Sequence, residues 1–183
     1  MKGVVFTEFI EMVEDRLGPE TADRIIEEAR LASGGAYTAV GTYDYRELVA
    51  LTRELSAATG QPGPELVREF GRHLFGRFAV AYPQFFAGVE DALSFLAGIE
   101  DHIHVEVHKL DPDAELPRFD CTRHGKDRLD LVYRSPRPFA DFAEGLLVGC
   151  AEHFGEELEI AREAAGPGAV RFRVTREVSS LVC

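Results

Sequence analysis

The spacing of apolar residues changes at Pro112, and this change constrains the fold more than any other feature of the sequence. Before Pro112, apolar residues recur at intervals of three and four, which predicts amphipathic helices. After it, the pattern predicts strands over 118–122, 128–134, 158–162 and 170–175. A helix over 139–154 separates the two pairs of strands. The order predicts an α+β domain, in which a helical N-terminal part precedes a four-stranded antiparallel sheet with helices.

The helical part contains one helix with a clear start signal and one that is unusually long. Asp44, with Glu47 three residues later, has the pattern of a capping box at the start of a helix that Gly60 ends. The longest predicted helix runs over 89–110, because its apolar residues form one continuous stripe and Pro112 closes it. That stripe consists of Leu93, Leu96, Ile99, Ile103 and Val107.

Length and charge exclude several classes of protein. The chain has 183 residues, enough for one domain with its own core, and no apolar run approaches the ~20 residues that span a bilayer. No signal peptide is recognisable, so we expect a cytoplasmic protein without a membrane partner. The net charge of −12 repels phosphate backbones, which argues against nucleic-acid binding. The three cysteines are widely spaced and form no CxxC pair, so free thiols are expected.

A histidine cluster lies near the end of the long predicted helix. His104 and His108 are four residues apart and could bind a metal ion from one helix face. However, there is no HExxH motif, and no nearby cysteine or histidine completes a tetrahedral set. His104 borders the apolar stripe, whereas His102 and His108 lie beside charged residues. Position alone therefore favours a hydrogen-bonded core histidine at His104.

A second polar cluster is Tyr133, Ser135 and Arg137, in the segment YRSPR. Alternate residues of an extended segment share a face, so the two hydroxyls and the guanidinium are predicted to point the same way. Together they are donors suited to a carboxylate or a phosphate. The alternative is a solvated strand end whose arginine pairs with one of the many acidic residues. No P-loop, GxGxxG or GxSxG motif accompanies them.

Several segments in a fixed order resemble one known family. They are MKGVVFTEFIEMVED, EFGRHLFGRF ahead of YPQFF, His104, Pro117 in LPRFDC, and the Tyr133-x-Ser135-x-Arg137 motif. Pro117 follows His104 by 13 positions, and Tyr133 follows Pro117 by 16. The chain resembles the haem-nitric oxide/oxygen binding (H-NOX) domain of bacterial gas sensors and soluble guanylate cyclase. The resemblance implies one domain over 1–183, with a helical distal subdomain over about 1–65, a proximal subdomain over about 66–183, and haem buried between them.

The resemblance also implies roles for individual residues around a haem b cofactor. His104 matches the ligand of the iron, and His102, two positions earlier, falls on the opposite side of the helix. Pro117 matches the proline that presses on the porphyrin and distorts it. The residues that match those holding the haem propionates are Tyr133, Ser135 and Arg137.

The distal side of the haem decides which gas binds. Bound O2 accumulates negative charge and gains from a hydrogen-bond donor, which NO and CO need much less. Oxygen-binding members place a tyrosine where this chain has Phe142, so we expect NO and CO binding without stable O2 binding. His73 would supply a donor only if it pointed inward, and a surface position is favoured for it. The remaining distal wall is expected to be apolar and to consist of Val5, Phe9, Leu74, Phe78 and Leu146.

The resemblance implies a sensor rather than an enzyme. Binding of NO weakens the bond between iron and His104, and the released helix and the haem then rearrange. The signal is expected to pass in trans to a histidine kinase or a cyclic-di-GMP enzyme. There are two alternatives: a haem enzyme, which lacks any peroxidase-like acid–base pair here, and a haem-free α+β protein-interaction domain that retains the fold.

Overall fold

The computed structural model describes residues 1–177, and its architecture confirms the α+β class. The helices of this part of the chain are α1 Gly3–Leu17, α2 Pro19–Ala29, α3 Tyr45–Thr59, α4 Gly63–Ala81, α5 Ala92–Ala97, α6 His104–Leu110 and α7 Ala140–Phe154. A 3₁₀ turn, Pro83–Phe86, follows α4, and a π-helical turn, Ile99–Ile103, precedes α6. None of these helices is both long and apolar enough to cross a bilayer.

Four antiparallel strands form a single sheet, as the sequence predicted, and their order is β1–β2–β4–β3. The strands are β1 Arg118–His124, β2 Arg128–Arg134, β3 Leu158–Ala164 and β4 Ala169–Arg176. Burial alternates along β2, where Leu129, Leu131 and Tyr133 are buried and their neighbours are not. Because successive side chains point to opposite faces, one face of the sheet packs on the helices and the other meets solvent.

Two hydrophobic clusters make up the core of the described residues. The first joins α1, α2 and α3 with α4, which contributes Phe70 and Leu74. The second joins α5, α7 and the sheet, and α4 contributes Phe75 to it. Since consecutive residues of α4 belong to different clusters, this helix connects the helical part of the molecule with the part that contains the sheet.

Helices α4 and α7 cross at very close range, which requires glycine at the crossing. A Cβ atom added to Gly145 would overlap the carbonyl oxygen of Arg68, and one added to Gly71 would overlap the carbonyl oxygen of Phe142. Both obstacles are backbone atoms, which cannot move aside as the end of a flexible side chain can. The two glycines therefore set the distance between the two helices, which carry Leu74, Phe78, Phe142 and Leu146 of the predicted distal wall.

We expect Gly145→Ala to lower the free energy of unfolding by about 2 kcal/mol, because the added methyl forces the helices apart. The control is Gly76→Ala, since Gly76 lies within α4, the other helix of the crossing, but has open space at its Cβ position. That change is expected to stabilise the helix by ~0.5–1 kcal/mol. Urea unfolding followed by circular dichroism measures both. Equal stabilities for the two variants would contradict the close crossing.

The prediction of one helix over 89–110 is wrong. Helix α5 ends at Ala97, and the backbone N–H of Ile103 donates to the carbonyl of Gly98 at 3.2 Å, which closes a π turn. Gly98 weakens the α-helix at this point, since glycine loses the most backbone freedom in a helix. The wide turn resets the helix so that α6 begins at His104. Single π turns are common at functional sites.

The predicted capping box at α3 is only half correct. Asp44 caps the helix, because its carboxylate accepts from the backbone N–H of Arg46 at 2.9 Å. Glu47 does not return to the cap. Its buried carboxylate accepts instead from the hydroxyls of Ser33 and Tyr37, at 2.5 and 2.7 Å, and from the Ser33 N–H. These three donors connect the loop between α2 and α3 to helix α3.

Candidate functional site

His104 lies at the first position of α6, directly after the π turn, and its side chain is only 14% exposed. The Nδ1 atom is 3.1 Å from Oε1 of Glu100, and the ring packs at 6.1 Å from the ring of Phe119. Burial lowers the pKa of His104, which outweighs the opposing effect of Glu100. The hydrogen-bonded imidazole expected from the sequence is therefore present, and its neutral form is favoured.

Glu100 is the partner that the sequence prediction missed. Its Oε1 atom accepts from the backbone N–H of Phe119 at 2.7 Å and also faces Nδ1 of His104. One carboxylate thus connects the π turn, α6 and the first residues of β1. The signal was present in the sequence, because Glu100 precedes His104 by four positions and such pairs meet on a helix.

The donor set around His104 fits a haem iron. Nδ1 is engaged by Glu100, so Nε2 is the ring nitrogen left to bind a metal. A haem iron takes a single imidazole from the protein on its proximal side, since the porphyrin nitrogens supply the equatorial ligands. His102 and His108 are both exposed. Pro117 is half-buried directly before β1, two residues from the Phe119 ring that contacts His104.

The residues predicted for the distal wall gather mainly on the first hydrophobic cluster. Phe9 and Leu74 are buried members of it, and Val5, Phe78 and Phe142 pack against it. Leu146, one turn after Phe142 on α7, packs against the second cluster. The ring of Phe142 lies 5.3 Å from that of Phe70 and 6.3 Å from that of Phe139. These side chains supply no hydrogen-bond donor.

His73 lies on α4, on the side that faces α1. Its Nε2 atom is 4.0 Å from a carboxylate oxygen of Glu8, and burial lowers the pKa of the imidazole. Arg77, one turn along α4, forms an ion pair with the same carboxylate at 2.7 Å. His73 therefore faces the charged groups of α1 and is not among the residues of the first hydrophobic cluster.

Tyr133 lies in β2, Ser135 directly follows the strand, and Arg137 lies in the bend before α7. Tyr133 is 4% exposed, and burial raises its pKa, while its hydrogen bond with Ser135 has the opposite effect. The strand ends at Arg134 because Pro136 and Pro138 cannot donate to a ladder. The chain bends there, and the Ser135 hydroxyl accepts from the backbone N–H of Arg137 at 3.0 Å.

The guanidinium of Arg137 has two partners in the structure. It forms an ion pair with Glu115 and lies over the ring of Tyr45, at 5.4 Å from the ring centre. Arg137 is only 17% exposed, whereas the Glu115 side chain is 73% exposed. The Arg137 guanidinium is thus already paired with a carboxylate. That carboxylate belongs to an exposed side chain, which can turn away into solvent. With the hydroxyls of Tyr133 and Ser135 nearby in sequence, the donor set fits the carboxylates of a haem.

Cys121 on β1 is a thiol without a disulfide partner, as is Cys150. Burial raises the pKa of Cys121 to about 11, and the carboxylate of Glu100 adds to this effect. The thiol therefore stays protonated at neutral pH, and a protonated thiol is a poor nucleophile. The third predicted free thiol, Cys183, lies outside the described residues.

Comparison with known proteins shows that the chain is similar to members of a single family. A family model described as Haem-NO-binding matches residues 2–162. The Fe(II) unliganded H-NOX protein from K. algicida is 37% identical, with a TM-score of 0.92 over 100% of both chains. The IWP-051-bound H-NOX from Shewanella woodyi, in the Fe(II)CO state, is 44% identical, with a TM-score of 0.84 over 100% of this chain and 99% of that one. No curated protein matches the chain.

A further solved structure resembles the chain at lower identity. The H-NOX protein from S. oneidensis in the Fe(II)NO ligation state is 26% identical and has a TM-score of 0.90. The match covers 97% of this chain and 100% of that one. The same fold thus recurs in structures that describe unliganded, NO-ligated and CO-ligated iron.

Proposed function

Because this chain belongs to the Haem-NO-binding (H-NOX) family, we propose that it is a haem-based gas sensor that binds NO and CO and forms no stable complex with O2. The observation that carries the proposal is the largely buried imidazole of His104, whose Nδ1 is engaged by Glu100. The NO and CO ligation states of the S. oneidensis and S. woodyi proteins support the choice of gases.

Each part of the site has a task in this proposal. Haem b, when bound, supplies a ferrous iron that takes up a diatomic gas. His104 would hold the iron through Nε2, and Pro117 would press on the porphyrin. Arg137 would exchange Glu115 for a haem propionate, because a bidentate guanidinium pairs equally well with either carboxylate. The hydroxyls of Tyr133 and Ser135 would complete the set of donors.

The selectivity for NO and CO over O2 follows from the distal residues. The wall built by Val5, Phe9, Leu74, Phe78, Phe142 and Leu146 holds no donor to stabilise the charge that O2 acquires. The Nε2 atom of His73, which directly precedes Leu74 in α4, lies 4.0 Å from a carboxylate oxygen of Glu8 on α1 and makes no hydrogen bond within the described residues. The site therefore suits NO and CO, which bind without a hydrogen-bond donor, and it gives bound O2 no hydrogen bond.

Signalling would use the short helix that His104 begins. If His104 were released from the iron, α6 would be free to move against the neighbouring strand. We propose that this change is read in trans, in the cytoplasm, by a histidine kinase or a cyclic-di-GMP enzyme. The second candidate function is a haem-free interaction domain with the same fold, and a Soret band in the purified protein distinguishes the two.

Gas titration of the haem-loaded ferrous protein tests the proposal. Under anaerobic conditions, NO and CO are each expected to shift the Soret band. Exposure to air is expected to give slow oxidation and no persistent O2 spectrum. A stable O2 spectrum in air would contradict the proposed selectivity, and the absence of any Soret band after haem supplementation would favour the haem-free domain.

We expect Arg137→Gln to raise the dissociation constant for haem about 10- to 100-fold, since a hydrogen bond to a charged group contributes ~1.5–3 kcal/mol. The matched control is Arg134→Gln, because Arg134 lies three residues earlier and its exposed side chain pairs with Asp120. Transfer of haem to excess apomyoglobin measures both variants. Equal rates of haem loss would remove Arg137 from the propionate site.

A further inference from the structure

We propose that Glu100 is a positioning residue that strengthens the bond between His104 and the haem iron, and so sets how readily His104 is released. The inference rests on the proposed function, in which Nε2 of His104 binds the iron. It concerns a different group, which acts on the iron only through the imidazole.

The geometry places the Glu100 carboxylate on the far side of the imidazole from Nε2. Its Oε1 atom is 3.1 Å from Nδ1, and the two residues are one helical turn apart. A carboxylate that accepts a hydrogen bond from the Nδ1–H group fixes the ring orientation and makes the opposite nitrogen more basic. A more basic Nε2 binds iron more strongly, so Glu100 opposes release of His104.

A second contact keeps this carboxylate in place. Oε1 also accepts from the backbone N–H of Phe119 at 2.7 Å, and the Phe119 ring packs against that of His104. Since Phe119 belongs to β1, Glu100 is held by a strand that is itself paired along its whole length with β2. The acceptor is thus anchored to the sheet and not only to the turn that carries it.

The shared carboxylate also provides a physical link from the iron ligand to the sheet. If His104 and α6 move away, Oε1 of Glu100 must either lose its contact with Nδ1 of His104 or displace the backbone N–H of Phe119 at the start of β1. The three groups therefore cannot move independently. This link has the right position to couple release of His104 to the strand that follows Pro117.

The test compares haem-loaded Glu100→Gln with Glu106→Gln. Glu106 lies on α6, and its carboxylate contacts Lys109 at 2.5 Å, so that variant removes the same charge without touching His104. Resonance Raman spectroscopy of the ferrous protein reports the iron–histidine stretching frequency. Stopped-flow absorption reports the rate at which the histidine is lost after NO is added. Thermal unfolding by circular dichroism checks that both variants are folded.

In Glu100→Gln we expect a lower stretching frequency and about 10-fold faster loss of the histidine, with Glu106→Gln unchanged. Glu100→Asp, which keeps the charge, serves as the second variant and is expected to lie closer to the wild type than Glu100→Gln. A wild-type frequency and rate in folded Glu100→Gln would overturn the inference and leave the sensor proposal intact. Absence of any iron–histidine band in the wild type would instead contradict the proposed function itself.

Discussion

Replacing His104 with alanine is expected to abolish the five-coordinate ferrous haem spectrum and to leave most of the purified protein without haem. The reason is that His104 offers the single imidazole of the site, at the first position of α6 and with Nδ1 already engaged by Glu100. Alanine leaves a space of about the size of the lost ring. Imidazole added to the buffer should therefore enter it and restore haem binding and the spectrum.

The control for this experiment is His102→Ala. His102 lies two residues earlier, within the π turn, and is exposed. It removes the same chemical group from the same segment, so a general effect of losing a histidine would show equally in both variants. Absorption spectra of the ferrous proteins, with and without imidazole, give the answer. Haem uptake and spectra unchanged in His104→Ala would rule out the ligand assignment.

Phe142→Tyr is expected to give the protein a persistent O2 spectrum in air. Phe142 is half-buried on α7 and packs against the first hydrophobic cluster, with its ring 5.3 Å from that of Phe70, so a hydroxyl at its ring edge would enter an apolar environment. A hydrogen bond to a charged group contributes ~1.5–3 kcal/mol, which corresponds to about 10- to 100-fold in O2 affinity. Affinities for NO and CO should change much less, because those ligands carry less charge.

Phe142→Leu separates the new hydroxyl from the change in shape. It alters the packing against Phe70 but adds no donor, so no persistent O2 spectrum is expected from it. Absorption spectra recorded over time after mixing ferrous protein with air measure both variants. If Phe142→Tyr oxidised as fast as the wild type, with no O2 spectrum, Phe142 would not be the residue that faces the gas.

The sequence predicted the sheet more accurately than the helices around the site. The bounds of β2 were correct because Leu129, Leu131 and Tyr133 alternate with exposed residues, and period two has no competing interpretation. The stripe through Ile99 and Ile103 is equally compatible with an α-helix and a π turn. The width of that turn depends on Gly98 and on the contact of Glu100 with β1, which is a tertiary interaction.

At the candidate site, too, some features could be predicted from the sequence and others could not. The residues could be chosen from the sequence because their spacing resembles that of a family, but their polar partners could not. Glu115, which pairs with Arg137, is one of 32 acidic residues, and nothing in its neighbourhood distinguishes it. Arg137 lies beyond the end of β2, where two prolines interrupt the strand. The hydrogen-bond partners of Glu47 likewise lie in a loop whose sequence shows no periodic pattern.

His104 is proposed to hold the haem iron and to dissociate from it when NO binds. Electron paramagnetic resonance of the ferrous protein treated with NO tests this proposal directly, because the nitrogen atoms bonded to iron split the signal. The account predicts splitting from the NO nitrogen alone, with the His104 nitrogen detached. Additional splitting from an imidazole nitrogen that persists at equilibrium would show that His104 stays bound, and would contradict the account.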